Sequence, residues 1–266
     1  MRFSNFHTHT TFSDGVHTVE ENIQAALLKK MRALGFSDHS FTSCDTSYCM
    51  KREDVLPYLA CISDMKKRYE GQIELYTGME LDYYSQADTE PFDYWIASVH
   101  YIIKDGICYP LDESPEKQKT CIREAFCGNT MDFAKCYFDM VTEMVERTKP
   151  AFVSHFDLIN KFGLMPTDSE EYRKAARQAL EQVVKICPYV EVNTGAMSRG
   201  WRTVPYPEKF LLQTLLELGG QVILSSDSHN KDHLTYYFDE AAAELKKMGF
   251  DHICEISGGK MVSRGI

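Results

Sequence analysis

Phe6-His7-Thr8-His9-Thr10-Thr11-Phe12-Ser13-Asp14-Gly15 opens the 266-residue chain, on a stretch that reads as a strand from Phe3 to His9. Residues two apart on an extended strand face the same side. His7 and His9 therefore present two imidazoles to one point, and Asp14 can reach back from the following loop. An isolated His-x-His pair would decide little. Its weight comes from what recurs further along.

Phe36-Ser37-Asp38-His39 ends a second apolar run, Ala33–His39, and Gly78-Met79-Glu80 closes Ile73–Leu81 with a carboxylate. Tyr94–His100 and Ala151–His155 each finish in histidine, while Gln221–Ser226 leads into Asp227-Ser228-His229. Tyr189–Asn193 is a further run of the same kind. Between the runs, Thr18–Arg32 carries Val19, Ile23, Ala26, Leu27 and Met31 at helical spacing. Glu53–Tyr69, Met131–Arg147, Glu170–Ile186, Glu208–Leu218 and Phe238–Met248 behave similarly. Thr18 before Glu20 and Glu21 reads as a helix start, and Gly35 and Gly219-Gly220 as stops.

Repeated strand–helix units predict an α/β protein with a parallel sheet, closed into a barrel or doubly wound. No linker divides the chain, so one domain over residues 1–266 is expected. In parallel α/β folds the C-terminal strand ends converge on the ligand site, and that is where the histidines and acids fall. Residues 101–130 break the rhythm with Gly106, Pro110, Pro115 and Gly128. They read as an insertion, either a lid or binding loop or a surface excursion.

The composition, 44% hydrophobic and 26% charged, is that of a globular protein with a substantial core. No run approaches the roughly 18–20 apolar residues of a membrane span, and the N-terminus lacks the apolar segment of a secretion signal. A cytoplasmic protein with no membrane partner is expected. A net charge of -10 argues against nucleic acid as a partner, but bound cations would reverse the charge locally. Nine cysteines with no C-x-x-C pair read as reduced, mostly buried thiols.

His7, His9, Asp14, His39, Glu80, His100, His155, Asp227 and His229 are the candidate metal ligands. Imidazole and carboxylate without thiolate suit zinc, manganese or iron. Nine ligands are too many for one ion and fit two or three divalent ions sharing a carboxylate. Such a cluster binds phosphate, acidifies a bridging water and stabilises an in-line displacement. Three divalent ions would more than neutralise Asp14, Glu80 and Asp227, leaving a cationic pocket suited to a phosphate dianion.

In order along the chain, His-Thr-His with Ser-Asp-Gly, Ser-Asp-His, Gly-Met-Glu, Ser-Val-His, Ser-His-Phe-Asp and Ser-Asp-Ser-His resemble the PHP family. The family is named for its polymerase-associated and histidinol-phosphatase members, and the resemblance covers nearly the whole chain. It implies a distorted (β/α)7 barrel. It places His7, His9, Glu80 and Asp227 on a first metal, with Glu80 bridging to a second held by His100 and His155. Asp14, His39 and His229 would hold a third.

Within the family, Ser98-Val99-His100-Tyr101, Tyr137-Phe138, the run from Ser154 to Ile159, and Glu191-Val192-Asn193-Thr194-Gly195 with Arg199 resemble the histidinol-phosphate phosphatase branch. That branch implies hydrolysis of the monoester L-histidinol phosphate in L-histidine biosynthesis. A metal-bridging hydroxide would be the nucleophile, and Arg199 would grip phosphate oxygens with its planar fork. Asp157 and Asp112 are candidate partners for the substrate's imidazole or ammonium group. No leaving-group acid stands out; His233 is a weak candidate, His17 a rim residue and His252 an ordinary strand or surface histidine. Two other readings stand beside this one. The first is a PHP phosphoesterase or nuclease acting on another small ester or on nucleic-acid ends. The second is a non-catalytic, metal-stabilised binding module, disfavoured because the ligands lie on the functional face.

Overall fold

Short apolar runs that alternate with amphipathic helices bury both faces of a sheet, which favours parallel strands. The computed structural model describes residues 2–266. One sheet runs β1 (Ala33–Phe36), β2 (Glu74–Asp82), β3 (Tyr94–Ser98), β6 (Phe152–Val153), β7 (Tyr189–Asn193), β8 (Gln221–Ser225) and β9 (His252–Ser257), all parallel. β10 (Lys260–Gly265) pairs antiparallel with β9 at the edge.

The segment from Asn5 to His9 curls this sheet shut. Asn5 bridges Leu34 of β1, and Thr8 bridges Ser228 beyond β8. On one side Asn5 N donates to Ala33 O and Ser37 N to Thr8 O; on the other His9 N donates to Ser228 O and Ser228 N to His7 O. Together with β1, β2, β3, β6, β7 and β8 this segment makes the distorted (β/α)7 barrel expected from the sequence. It forms isolated bridges where a continuous strand was expected, because its partners change from one side to the other along its length.

Inside the barrel, Phe6, Tyr94, Ile96, Phe152 and Ile223 pack together. Tyr94 Oη donates to the Phe6 carbonyl at 2.7 Å, which satisfies its buried hydroxyl. Outside lie α1 (Val19–Leu28), α2 (Val55–Arg68), α4 (Thr130–Thr148), α5 (Glu170–Ile186), α7 (Lys209–Glu217) and α8 (Phe238–Met248). Thr18 and Glu21 form a reciprocal capping box at the start of α1. α5 buries Tyr172, Ala176, Ala179, Leu180 and Val183 along one stripe. Each large side chain so buried contributes roughly 1.5–3 kcal/mol. Among the described residues no helix is long and apolar enough to cross a membrane.

The insertion is ordered. β4 (Tyr101–Lys104) and β5 (Ile107–Pro110) form a hairpin closed by Asp105-Gly106, both at positive φ, and α3 (Pro115–Ala125) follows. The expectation of nine reduced thiols is corrected here. Cys44 and Cys108 form a disulfide across 64 residues, with Cα atoms 5.6 Å apart. No spacing rule pairs cysteines so far apart; the fold brings them together. The other seven are free, and Cys49, Cys121, Cys187 and Cys254 are buried.

Candidate metal centre

The strand ends deliver their side chains to one mouth of the barrel. His7 and His9 alternate with Thr8 and share a face. Asp14 folds back on a tight turn: a Cβ at Gly15 would stand 2.5 Å from the His9 carbonyl carbon and oxygen, so only glycine permits the approach. Asp38, buried one residue before His39, pins the same loop by accepting from Thr10 N at 2.8 Å and Ser13 Oγ at 2.6 Å. Asp227 adopts φ 44°, a conformation that side chains other than glycine rarely take. The one-turn α6 (Gly195–Ser198) after β7 packs so close that a Cβ at Gly195 would lie 2.8 Å from Asp227 Cβ.

All nine predicted ligand residues meet. Glu80 is central: its Oε2 lies 2.9 Å from His39 Nδ1, 3.2 Å from His7 Nε2 and 3.5 Å from His9 Nε2. Its Oε1 lies 3.0 Å from His155 Nε2 and 3.4 Å from His100 Nε2. Asp227 Oδ1 is 3.3 Å from His9 Nε2, and Asp14 Oδ2 is 3.1 Å from His229 Nε2. Donor atoms within 4.8 Å of one another form four overlapping groups. These are His7, His9 and Asp227; His7, Glu80 and His155; His39, Glu80 and His100; and His9, Asp14, His39 and His229. Glu80 falls in two groups, as a bridging carboxylate would, but so do His7, His9 and His39, which the family resemblance assigns to one ion each.

The donors fit divalent metal ions. Two ligands about 2.1 Å from one tetrahedral ion stand roughly 3.4 Å apart, close to the separations seen here. His7 Nε2, both ring nitrogens of His9 and Glu80 Oε2 are buried without a hydrogen-bond partner. Each such orphan costs about 1–3 kcal/mol unless something coordinates it. Burial beside His229 and His39 pushes the His9 imidazole down to about 3, leaving it neutral with lone pairs to give. At His7 burial opposes a charge, but Glu191, Glu80 and Asp227 outweigh it and raise the pKa. Burial likewise opposes ionisation of Asp227, yet Arg199 and His7 hold its carboxyl well below the usual range.

Behind the ligands stand residues that sequence reasoning did not assign. Glu191 Oε1 lies 2.6 Å from His7 Nδ1, its Oε2 accepts from His155 N at 2.8 Å, and Ser225 Oγ donates to it as well. Asp82 Oδ2 lies 3.3 Å from His100 Nδ1. Carboxylates on the far nitrogen fix a ligand imidazole's tautomer and orientation. A lone glutamate inside the apolar run Tyr189–Asn193 was the available signal.

Arg199 reaches the site: its Nη2 donates to Asp227 Oδ2 and its Nη1 to the Asp227 carbonyl, each at 3.0 Å. Asp157 does not. Its Oδ2 accepts from Asn160 Nδ2 at 2.9 Å and Glu208 N at 3.0 Å, and it is fully buried away from the cavity. His252 sits at the opposite end of the barrel against Gln221 and Asp251, and His17 at the rim accepts from Lys231 N. His233 lies on the turn Lys231–His233, outside the cavity wall. Over the cluster opens a cavity of about 540 Å³, lined beyond the ligands by Tyr48, Tyr101, Asp112, Lys161 and Arg199. Lys161 Nζ lies 2.9 Å from Asp112 Oδ2, and despite burial this neighbour draws the Asp112 carboxyl down to about 2.

A (β/α)7 barrel with six imidazoles and three carboxylates at its mouth defines a class of metal-binding barrels. The sequence profile of the PHP domain matches residues 5–195, and the chain belongs to that family. A Schizosaccharomyces pombe protein named "Probable histidinol-phosphatase" is 26% identical over 266 residues, covering 91% of this chain and 84% of that protein. The Bacillus subtilis histidinol-phosphatase is 25% identical over 260 residues, covering 88% and 96%. The fold matches that of histidinol phosphate phosphatase from Lactococcus lactis, a structure in complex with zinc, L-histidinol and phosphate. That match has a TM-score of 0.72 and 19% identity over 98% of this chain and 99% of that one.

Proposed function

We propose that this protein is a cytoplasmic, metal-dependent phosphomonoesterase that hydrolyses L-histidinol phosphate to L-histidinol and phosphate. The convergence of nine nitrogen and oxygen donors under one cavity carries the reading; relatives over nearly the full length that bear the histidinol-phosphatase name support it. The cavity lies within the roughly 300–1,000 Å³ of small-molecule sites, which suits a small ester better than a polymer.

His7, His9, Glu80 and Asp227 would hold one ion, Glu80, His100 and His155 a second, and Asp14, His39 and His229 a third. Zinc, manganese and iron all suit these donors. When bound, the ions acidify water and withdraw charge from phosphate. Glu191 and Asp82 orient His7 and His100. Arg199, already at the wall, turns its planar fork to the phosphate oxygens. Asp112, ionised and beside Lys161, offers a carboxylate to the cationic end of the alcohol. Asp157 is not part of this reading, because it is buried outside the cavity with its Oδ2 held by Asn160 and Glu208.

The test is a panel of histidinol phosphate, nucleoside monophosphates and a single-stranded oligonucleotide, run with metal analysis on the same preparation. Histidinol phosphate is expected to be turned over with the highest kcat/KM, and His100→Ala to lose activity by at least about 100-fold. Preference for the oligonucleotide, or full activity in His100→Ala, would reject the proposal.

A further inference from the structure

The cavity has two outer walls, and each springs from a ligand histidine. One is the loop from Ser40 to Met50, whose neck is closed by Met50 N donating to the His39 carbonyl at 3.0 Å. The other is the β4–β5 hairpin, whose neck is closed by Leu111 N donating to the His100 carbonyl at 2.9 Å. The first wall gives Asp45, Ser47 and Tyr48 to the cavity; the second gives Tyr101, Pro110 and Asp112. The loop's hydrogen bonds at Thr42, Cys44, Ser47 and Cys49 close within the loop itself. Two features tie the walls together. Tyr48 stacks on Tyr101 with ring centroids 6.3 Å apart, and Cys44 is bonded to Cys108. Neither cysteine lines the cavity, and both are half-buried, within reach of a small reductant.

We infer that the Cys44–Cys108 disulfide is a clamp that fixes the two walls for recognition of the cationic, aromatic alcohol half of the substrate, so that leaving-group specificity depends on the oxidation state of this pair. The inference rests on the substrate reading above. Eight of the nine candidate ligands sit on the barrel strands or within four residues of their ends, and Asp14 is held by its own turn against His9 and Asp38. Hydrolysis itself therefore does not require the clamp. An ester whose alcohol makes no use of the walls is therefore indifferent to it. Pre-fixing the walls removes an ordering cost that binding would otherwise bear. Cysteine enters as a positioning residue only, acting through Tyr48, Tyr101, Asp45 and Asp112.

A tertiary phosphine opens the clamp without a thiol that could strip metal. The phosphine takes oxygen from water and becomes the phosphine oxide; its two electrons and the two water protons convert the disulfide into two thiols. Alkylation of the unfolded, unreduced protein is expected to label the seven free cysteines, and nine after the phosphine. On the folded holoenzyme, with metal content measured before and after, reduction is expected to raise KM for histidinol phosphate about fivefold or more. kcat for that substrate, and both constants for glycerol 2-phosphate, whose alcohol is neither cationic nor aromatic, should stay within about twofold. The double variant Cys44→Ser, Cys108→Ser should reproduce the reduced enzyme and ignore the phosphine. Nine labelled cysteines without reduction, or an unchanged KM for histidinol phosphate after it, would overturn the clamp while leaving the substrate reading intact. Equal losses on both esters at constant metal content would also overturn it. Untreated enzyme that ignores histidinol phosphate would overturn both.

Discussion

The two ends of this barrel treat buried charge in opposite ways. At the mouth, Glu80 lies among five imidazoles, and one of its oxygens, with nitrogens of His7 and His9, has no hydrogen-bond partner. At the floor, Glu255 on β9 is also buried, though less deeply, yet fully engaged. Arg32 Nη2 and Nε reach it at 2.5 and 3.0 Å, Arg264 Nε at 2.6 Å and Ser4 Oγ at 2.8 Å. The floor is satisfied by its own side chains. The mouth is not, and a group left unsatisfied in a folded protein marks what the structure is waiting to bind. In parallel barrels the chemistry gathers at the C-terminal ends and stability at the other. Here that division is visible atom by atom.

The contrast is broken most directly at Glu80. Glu80→Gln keeps the volume and removes the shared charge. Activity on the preferred ester should fall on the order of 1,000-fold, about 4 kcal/mol of transition-state stabilisation. Bound metal should fall with it by elemental analysis. The melting temperature of the chelated variant should hold or rise, because the wild-type mouth is not built for stability. A collapse in that temperature would show Glu80 to be a structural residue after all. Glu191→Gln probes one layer further back. It leaves every ligand in place but loosens His7 and His155, so metal affinity should drop about 10–100-fold in competition with a chelator. Unaltered affinity would mean that packing alone orients the two rings.

Much of the mouth was legible because its chemistry is confined to strand ends, where residue type and position reinforce each other. Asp157 shows where that logic stops. Two positions past His155 it would share the ligand face if the strand continued, but β6 ends at Val153 and the turn carries Asp157 inward. Asp105-Gly106 between Tyr-Ile-Ile-Lys and Ile-Cys-Tyr-Pro was a readable hairpin signal, hidden inside a stretch rich in turn residues. Gly258-Gly259, both at positive φ, mark the β9–β10 hairpin in the same way, beyond the last predicted element. Glu191 and the Cys44–Cys108 pair are of another kind. Their partners lie tens of residues away, and only the closed barrel brings them within reach.

The floor yields the smallest effect and the one with the clearest sign. Burial disfavours a charge on Glu255, but hydrogen bonds from Arg32, Arg264 and Ser4 outweigh it and lower its pKa below the ordinary glutamate value. A carboxyl with a depressed folded pKa adds stability above its unfolded pKa, near 4.3, and loses it as the pH falls through the folded value. Glu255→Gln should therefore cost about 1.5 kcal/mol at neutral pH, roughly 3–6 °C in melting temperature. Phosphatase activity at 25 °C should be unchanged. Measured against pH, the gap between wild type and variant should be constant from neutrality down to about 5 and then narrow in acid. A gap that stays constant to pH 3 would assign the loss to packing instead of charge. A gap accompanied by lost turnover would mean that floor and mouth are not independent.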